Sequence, residues 1–179
     1  MKKYVLILLF PLLYIPSFSL ADEISKRTLV VFYSQSGKNK LIAEHIDSQI
    51  QNSDLKQIKL KEEIGFGSLI FKHIFRGDLE IEKINVDEYD IIIISTPIWL
   101  QMLALPTKVF IESANFEGKE VCMFITCGGF YGFSESLREW IAEQNADVKG
   151  LFVIKVGGKT DEEIKNDISM HLKNTELLQ

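Results

Sequence analysis

Three short stretches of this sequence contain residue types that hold anionic or planar ligands. The first is Tyr33-Ser34-Gln35-Ser36-Gly37-Lys38-Asn39-Lys40, which follows the apolar run Leu29–Phe32. Hydroxyl side chains and a glycine at the start of a helix favour an anion, because the first backbone N–H groups there lack intrahelical partners and the helix dipole is positive. The stretch matches neither of the common glycine-rich nucleotide motifs, so an ordinary serine-glycine turn is an equal alternative.

The second and third stretches combine aromatic rings with small residues. In Ser95-Thr96-Pro97-Ile98-Trp99-Leu100-Gln101-Met102 an apolar loop carries a tryptophan, which either stacks on a planar ligand or covers the core or an interface. In Thr126-Cys127-Gly128-Gly129-Phe130-Tyr131 the paired glycines allow backbone N–H and C=O groups to reach the edge of a ligand, unless the segment is a tight turn with its rings folded inward. Each stretch alone is weak evidence for a site.

Strand-like and helix-like segments alternate from residue 28 onward. The predicted strands are Leu29–Tyr33, Leu55–Leu60, Tyr89–Ser95, Val121–Thr126 and Leu151–Val156. Four of them are nearly continuous apolar runs, as expected of parallel strands buried on both faces. The second alternates with lysines, which predicts an exposed edge strand. Helices are predicted between them at Lys38–Gln51, before Gly77, at Thr107–Ala114, at Ser134–Gln144 and after the capping box Thr160–Glu163.

This alternation predicts an α/β fold with a doubly wound, five-stranded parallel sheet of order 2-1-3-4-5 and helices on both faces. Ligands of such sheets bind beyond the carboxyl ends of the strands. The three stretches follow strands one, three and four, so we expect them to meet at one edge. A phosphate cradle, an aromatic plate and a glycine-rich polar edge together fit FMN, which has a phosphate tail and a flat ring system.

The same residues resemble those of the flavodoxin family. Ser34–Asn39 resembles its phosphate loop, in which hydroxyl residues alternate around a central glycine. Asp87–Trp99, followed by Leu105–Glu112, is similar to the second flavin loop of the family and the helix after it, and Phe124–Gly132 resembles its third loop. The likeness covers residues 28–173 and implies a short-chain flavodoxin-like protein that binds FMN noncovalently.

The resemblance also implies which residues contact the cofactor. The phosphate would be held by Ser34, Gln35, Ser36, Gly37, Lys38 and Asn39. The ribityl chain and the ring would be bordered by Thr96, Pro97, Ile98 and Trp99. The pyrimidine side would be lined by Gly128, Gly129 and Tyr131, with Cys127 beside them. No residue is an obvious acid, base or nucleophile, so the flavin is expected to supply the chemistry.

The N-terminus has the pattern of a secretory signal. Lys2 and Lys3 precede an apolar run that ends at the small-residue site Ser19-Leu20-Ala21. We expect cleavage after Ala21, which leaves a flavodoxin-like domain at 22–179 outside the cytoplasm, in the periplasm or an equivalent compartment. An uncleaved anchor is the alternative, and membrane contact would then be confined to this segment.

Removal of the signal takes away two lysines and no acidic residue, so the formal net charge changes from −5 to −7. An acidic domain is unsuited to nucleic acid, whose binding requires basic patches. It suits electrostatic docking of a basic protein partner.

Three functions therefore remain open from the sequence. The first is an exported flavoprotein that carries electrons to or from a redox partner protein. The second is an FMN-dependent NAD(P)H or quinone reductase, in which Phe130 and the apolar second stretch form a substrate pocket. The third is a cofactor-free binding module of the same fold. Cys122 and Cys127 lie five apart and should point to opposite faces of one strand, so no disulfide between them is expected. The sequence has no CxxC and its three histidines are scattered, so no metal site is expected.

Overall fold

The computed structural model describes residues 26–128, 134–173 and 175. Its elements in chain order are β1 (Thr28–Phe32), α1 (Lys38–Asp47), β2 (Ser53–Gln57), α2 (Phe66–Phe75), β3 (Ile91–Trp99), β4 (Met102–Leu103), α3 (Leu105–Ser113), β5 (Glu120–Cys127), α4 (Ser134–Ala142), β6 (Asp147–Lys155) and α5 (Asp161–Lys173). Within these residues no helix is long and apolar enough to cross a membrane. The predicted signal segment and its cleavage site lie outside the described residues.

Five strands form a parallel sheet in the order β2-β1-β3-β5-β6, and the short β4 pairs antiparallel with β3. The register is regular from β1 to β3 and from β3 to β5, with Val30 opposite Ile93 and Ile93 opposite Cys122. Between β5 and β6 it shifts by one residue between Val121 and Cys122. The predicted order 2-1-3-4-5 is confirmed, with β4 as an additional short strand. β2 is an edge strand, as the lysines of the predicted segment Leu55–Leu60 indicate, although only Lys56 of them lies within β2.

Each face of the sheet has its own apolar cluster. Val30 and Ile93 belong to the cluster that α1 and α5 cover. Leu29 and Ile92 belong to the opposite cluster, which α2, α3 and α4 cover. Successive side chains of a strand point to opposite faces, so both sets of positions must be apolar. This burial explains the nearly continuous apolar runs of the central strands.

The predicted loop after the third strand is wrong in its first half. β3 continues beyond Ser95 to Trp99, turns at Leu100 and Gln101, and returns as β4. The strand continues because β5 is long enough to pair with it as far as Pro97. Leu100 and Gln101 have φ values of 46° and 67°, the left-handed geometry that a two-residue hairpin turn of this type requires.

Other element ends differ from the predicted ones by a few residues. β2 covers Ser53–Gln57 instead of Leu55–Leu60, because its first residue pairs with the start of β1. α1 ends at Asp47 instead of Gln51, and α3 begins at Leu105, two residues earlier than expected. These ends are decided by a few hydrogen bonds that the hydrophobic pattern does not encode.

Candidate functional site

Asn39, the second residue of α1, links the helix that follows β1 to β3 and β5. It is buried, with 2% of its surface exposed. Its Nδ2 donates to Thr126 Oγ1 at the end of β5 (2.9 Å), and its Oδ1 accepts from Ser95 Oγ in β3 (3.1 Å). Because Asn39 follows β1, these bonds bring the three stretches together at one edge of the sheet. Both polar atoms of the side chain are thus engaged inward, and what Asn39 can offer an anion is its backbone N–H.

The turn before α1 presents several hydrogen-bond donors. Gly37 has φ 85° and ψ −18°, a left-handed conformation that glycine adopts without strain, and no side chain caps the helix there. The N–H groups of the first three helical residues precede the first intrahelical bond, from Leu41 N to Gly37 O. Ser34 has a buried Oγ with no hydrogen-bond partner among the described residues. Gln35 and Ser36 are exposed. The turn therefore has the donors that an anion needs.

Lys38 forms an ion pair across the structure. Its Nζ lies 2.6 Å from Asp161 Oδ1, at the start of α5. The hydrogen bond from Lys38, together with its charge, lowers the pKa of the Asp161 carboxyl. This carboxylate supplies a negative charge beside a lysine that would otherwise oppose the dipole of α1. The partner is 123 residues away in the chain, and no local pattern indicates it.

Trp99 is surrounded by three rings that meet it at nearly right angles. The ring centroids of Tyr33, Phe66 and His73 lie 5.6, 5.4 and 5.6 Å from that of Trp99. His73 also reaches the backbone, since its Nε2 lies 3.1 Å from the Trp99 carbonyl oxygen. Among the described rings none stacks parallel on the indole. The sequence did not indicate the roles of Phe66 and His73, although the apolar segment of α2 contains one histidine.

The other predicted residues of β3 contact protein groups. Thr96 is buried, and its hydroxyl lies 2.7 Å from that of Thr107 in α3. Pro97 and Ile98 are half-buried, and Ile98 pairs with Leu103 across the hairpin. These residues shape the edge beside the tryptophan through packing and backbone bonds.

β5 brings Cys127 and Gly128 to the same edge. Cys127 is buried, and its carbonyl accepts a backbone N–H from the residue after β6 (3.1 Å). Gly128 is exposed. A β-carbon at position 157 would lie only 2.9 Å from the Gly128 carbonyl oxygen, so the loops after β5 and β6 can approach this closely because residue 157 is Gly157. No sequence pattern indicates this role of Gly157. Gly129 and Tyr131, the other predicted residues of this loop, lie outside the described residues.

A cavity of about 820 Å³ lies beside the β3–β4 hairpin. Its lining includes His73, Arg76, Met102, Val109 and Trp140, which come from α2 and the residue after it, β4, α3 and α4. His73 therefore touches both this cavity and Trp99. No group of three His, Cys, Asp or Glu residues in the described part of the chain is arranged to hold a metal ion.

Comparison with solved structures identifies proteins of the same fold. A flavoprotein from Lactobacillus acidophilus NCFM in complex with FMN is 26% identical, with a TM-score of 0.59, over 80% of this chain and 99% of that chain. A protein from Bacteroides uniformis ATCC 8492 is 22% identical, with a TM-score of 0.61, over 81% and 99% of the two chains. Oxidised flavodoxin 2 from Bacillus cereus is 19% identical, with a TM-score of 0.52, over 83% and 99%. The last two matches concern the fold alone.

Sequence comparison is consistent with this fold. A search of curated proteins gives no match. The flavodoxin family model matches residues 27–167, a range that begins before β1 and ends within α5. All strands of the sheet and the three loop stretches fall inside it. The chain therefore belongs to the flavodoxin family.

Proposed function

We propose that this protein binds FMN noncovalently and that electrons are carried by the bound flavin. The observation that carries this proposal is the buried Ser34 hydroxyl, which lacks a partner among the described residues beside the turn before α1. A buried polar group without a hydrogen bond is costly and rare, so a native structure that keeps one has a use for it. The flavoprotein from Lactobacillus acidophilus, whose complex contains FMN, supports the choice of ligand.

The residues of the turn fit a phosphate group. A phosphate dianion needs several donors, and the start of α1 supplies backbone N–H groups at the positive end of the helix dipole. The Ser34 and Ser36 hydroxyls add donors on side chains, and Gln35 lies between them. Lys38 adds charge that it shares with Asp161. Asn39 contributes its backbone N–H, because its side chain is engaged with β3 and β5.

The ends of β3 and β5 fit the remainder of the cofactor. In this proposal Trp99 lies against the isoalloxazine ring, and Thr96, Pro97 and Ile98 border the ribityl chain with backbone and apolar atoms. Cys127 and Gly128 border the pyrimidine side in this proposal, together with Gly129 and Tyr131, whose role rests on the sequence resemblance alone. The bound flavin supplies the redox chemistry, and the protein residues bind and orient it.

Titration with FMN tests the proposal directly. The full chain and the chain from Asp22 onward are each mixed with FMN, and flavin absorbance and fluorescence are followed. We expect saturable binding at micromolar or lower concentrations, with quenching of flavin fluorescence that Trp99→Ala weakens. A protein that stays colourless and takes up no FMN at micromolar concentrations would refute the proposal.

Ser34→Ala is expected to change the stability and the FMN affinity in opposite directions. Without FMN, loss of the buried hydroxyl, which has no partner among the described residues, should raise the free energy of unfolding by about 1 kcal/mol. With FMN, loss of a hydrogen bond to a charged phosphate should weaken binding by roughly tenfold or more. Urea unfolding of the apoprotein and fluorescence titration measure the two effects. Ser36→Ala is the matched control, because the exposed Ser36 should leave the stability of the apoprotein unchanged. A loss of apoprotein stability in Ser34→Ala contradicts the prediction.

We propose further that the domain works outside the cytoplasm after cleavage following Ala21. The proposal is supported by the signal pattern of residues 1–21. FMN would then be acquired after export, which requires a folded apoprotein. The relative from Lactobacillus acidophilus, at 25% identity and a TM-score of 0.54, also has an NMR structure of its apo-form. N-terminal sequencing of the exported protein should begin at Asp22, and recovery of chains that retain Lys2 and Lys3 would show that the segment stays attached.

A reductase that acts on NAD(P)H or a small quinone is the second candidate. Exposed apolar side chains beside Trp99 favour it, since Leu100 is 62% and Met102 is 45% exposed. In the first candidate the same surface faces a redox partner protein. Steady-state assays of the FMN-loaded protein separate them, because only the reductase oxidises NAD(P)H with a quinone at a rate that Leu100→Ser and Met102→Ser lower.

A further inference from the structure

We infer that His73 is the positioning residue of the β3–β4 hairpin and that it sets the orientation in which Trp99 meets the flavin. The inference rests on the proposed function for its flavin part. The effect of His73 on the orientation of Trp99 can be measured in the apoprotein, without any cofactor.

The hairpin that carries Trp99 is weakly specified by its own residues. It has two cross-strand pairs, Ile98 with Leu103 and Trp99 with Met102. Its turn places Leu100 and Gln101 at φ values of 46° and 67°, where residues with side chains are strained. A two-stranded hairpin is marginally stable by itself in water. Contacts from outside the hairpin must therefore hold it in place.

His73 supplies such a contact at both the backbone and the ring of Trp99. It is 5% exposed, and its Nε2 lies 3.1 Å from the Trp99 carbonyl oxygen. A carbonyl oxygen only accepts, so Nε2 must carry the hydrogen, which fixes this nitrogen as the donor. The imidazole also meets the indole edge-on, with 5.6 Å between centroids and an interplanar angle of 86°.

The other two rings around Trp99 act on its side chain. Tyr33 and Phe66 contact the indole at similar distances, and neither is hydrogen-bonded to its backbone. His73 is thus placed to fix the indole and the peptide that follows it together. Without the imidazole, fewer contacts hold the strained turn in its present conformation, and Trp99 can occupy other orientations. Flavin binding would then include the free energy of restoring one orientation, and the affinity would fall.

The experiment uses Trp99 as its own reporter. The chain has two tryptophans, so Trp140→Phe leaves Trp99 alone. In this background His73→Ala is expected to shift the Trp99 emission to longer wavelength and weaken its near-ultraviolet circular dichroism in the apoprotein. FMN binding should weaken by about tenfold, which corresponds to about 1.4 kcal/mol.

Variants that restore a hydrogen-bond donor at position 73 distinguish a positioning role of His73 from a role in filling space. His73→Gln offers an amide N–H and should recover most of the Trp99 signal and of the FMN affinity. Added imidazole should do the same for His73→Ala, because His73 lines the open cavity beside the hairpin. Phe66→Leu is the matched control. It removes one ring contact with Trp99 and keeps the backbone hydrogen bond, so it should leave the near-ultraviolet signal in place.

The outcomes distinguish the two proposals. An unchanged Trp99 signal in His73→Ala overturns the positioning role, and so does failure of both His73→Gln and imidazole to restore the signal. Absence of FMN binding by the unaltered protein overturns the proposed function. A Trp99 signal that changes in the His73→Ala apoprotein and is restored by His73→Gln or imidazole would still establish that His73 holds Trp99.

Discussion

Asn39→Leu is expected to lower the free energy of unfolding by about 2–3 kcal/mol, which lowers the melting temperature by roughly 4–12 °C for a domain of this size. The change removes two buried hydrogen bonds, one to Thr126 and one from Ser95. Ser95 Oγ can still donate to the Asn39 backbone carbonyl oxygen (3.2 Å), but the Thr126 hydroxyl loses the partner described above, and water cannot replace it because Thr126 is 5% exposed. Urea unfolding of the apoprotein measures the loss. FMN affinity should also fall, by at least tenfold, because α1 is no longer tied to β3 and β5.

A triple variant separates hydrogen bonding from packing. Asn39→Leu combined with Ser95→Ala and Thr126→Val removes all three polar side chains of this cluster, so none is left buried without a hydrogen-bond partner. Replacement of every partner by apolar groups is often nearly neutral, so the triple variant should regain much of the lost stability. If the triple variant is less stable than Asn39→Leu, the cost lies in the shape of the cluster and the argument from unsatisfied groups is incorrect.

Alkaline pH is expected to destabilise the fold through Cys122. Burial raises the pKa of this thiol to about 12, and the residue is fully buried in the cluster beneath α1 and α5. The unfolded thiol has a pKa near 8.5. Because the folded pKa is the higher one, the stability is complete below about pH 8.5 and declines as the pH rises towards 12. Each pH unit in this window costs about 1.4 kcal/mol, so about 2–3 kcal/mol is lost by pH 10.5.

Cys122→Ala provides the comparison for this effect. Unfolding is measured at pH 8 and pH 10.5 for both proteins in a Cys127→Ala background, so that one thiol is compared with none. Other titrating groups are shared, and their contribution cancels in the difference. The protein with Cys122 should lose about 2–3 kcal/mol more than the variant on going to pH 10.5. Equal losses would mean that the folded thiol ionises at its ordinary pKa. In the same background, Cys122 should react with a thiol reagent at pH 8 only through global unfolding, and at the unfolding rate where the reagent outpaces refolding.

The layered fold is readable from the sequence because burial on both faces leaves a local signal. β1, β3 and β5 each need apolar side chains at successive positions, and α1 repeats isoleucine at Ile42 and Ile46. The lysines of the second strand likewise indicate its place at the edge. Such patterns arise within one element, so a single sequence contains them. Right-handed connections then leave few ways to order the strands.

The β3–β4 hairpin was missed because its turn lacks the usual residues. Asparagine and glycine signal a left-handed two-residue turn, whereas this chain has Leu100 and Gln101 there. The continued pairing of β3 depends on the length of its neighbour β5. Pro97, for example, pairs with Thr126, 29 positions later in the chain, so the local pattern does not show it.

Sequence alone determined the order of the strands, the family likeness and the residues that end up at the carboxyl edge of the sheet. These follow from periodicity and from short-range turn chemistry. Only the tertiary structure decided how those residues are used: Asn39 is turned inward to Ser95 and Thr126, Lys38 is paired with Asp161, and Trp99 is held by His73. Each of these contacts joins residues far apart in the chain, and each depends on side-chain directions that exist only once the helices are packed on the sheet. The Ser34 hydroxyl, buried and without a described partner, is a fact of the same kind.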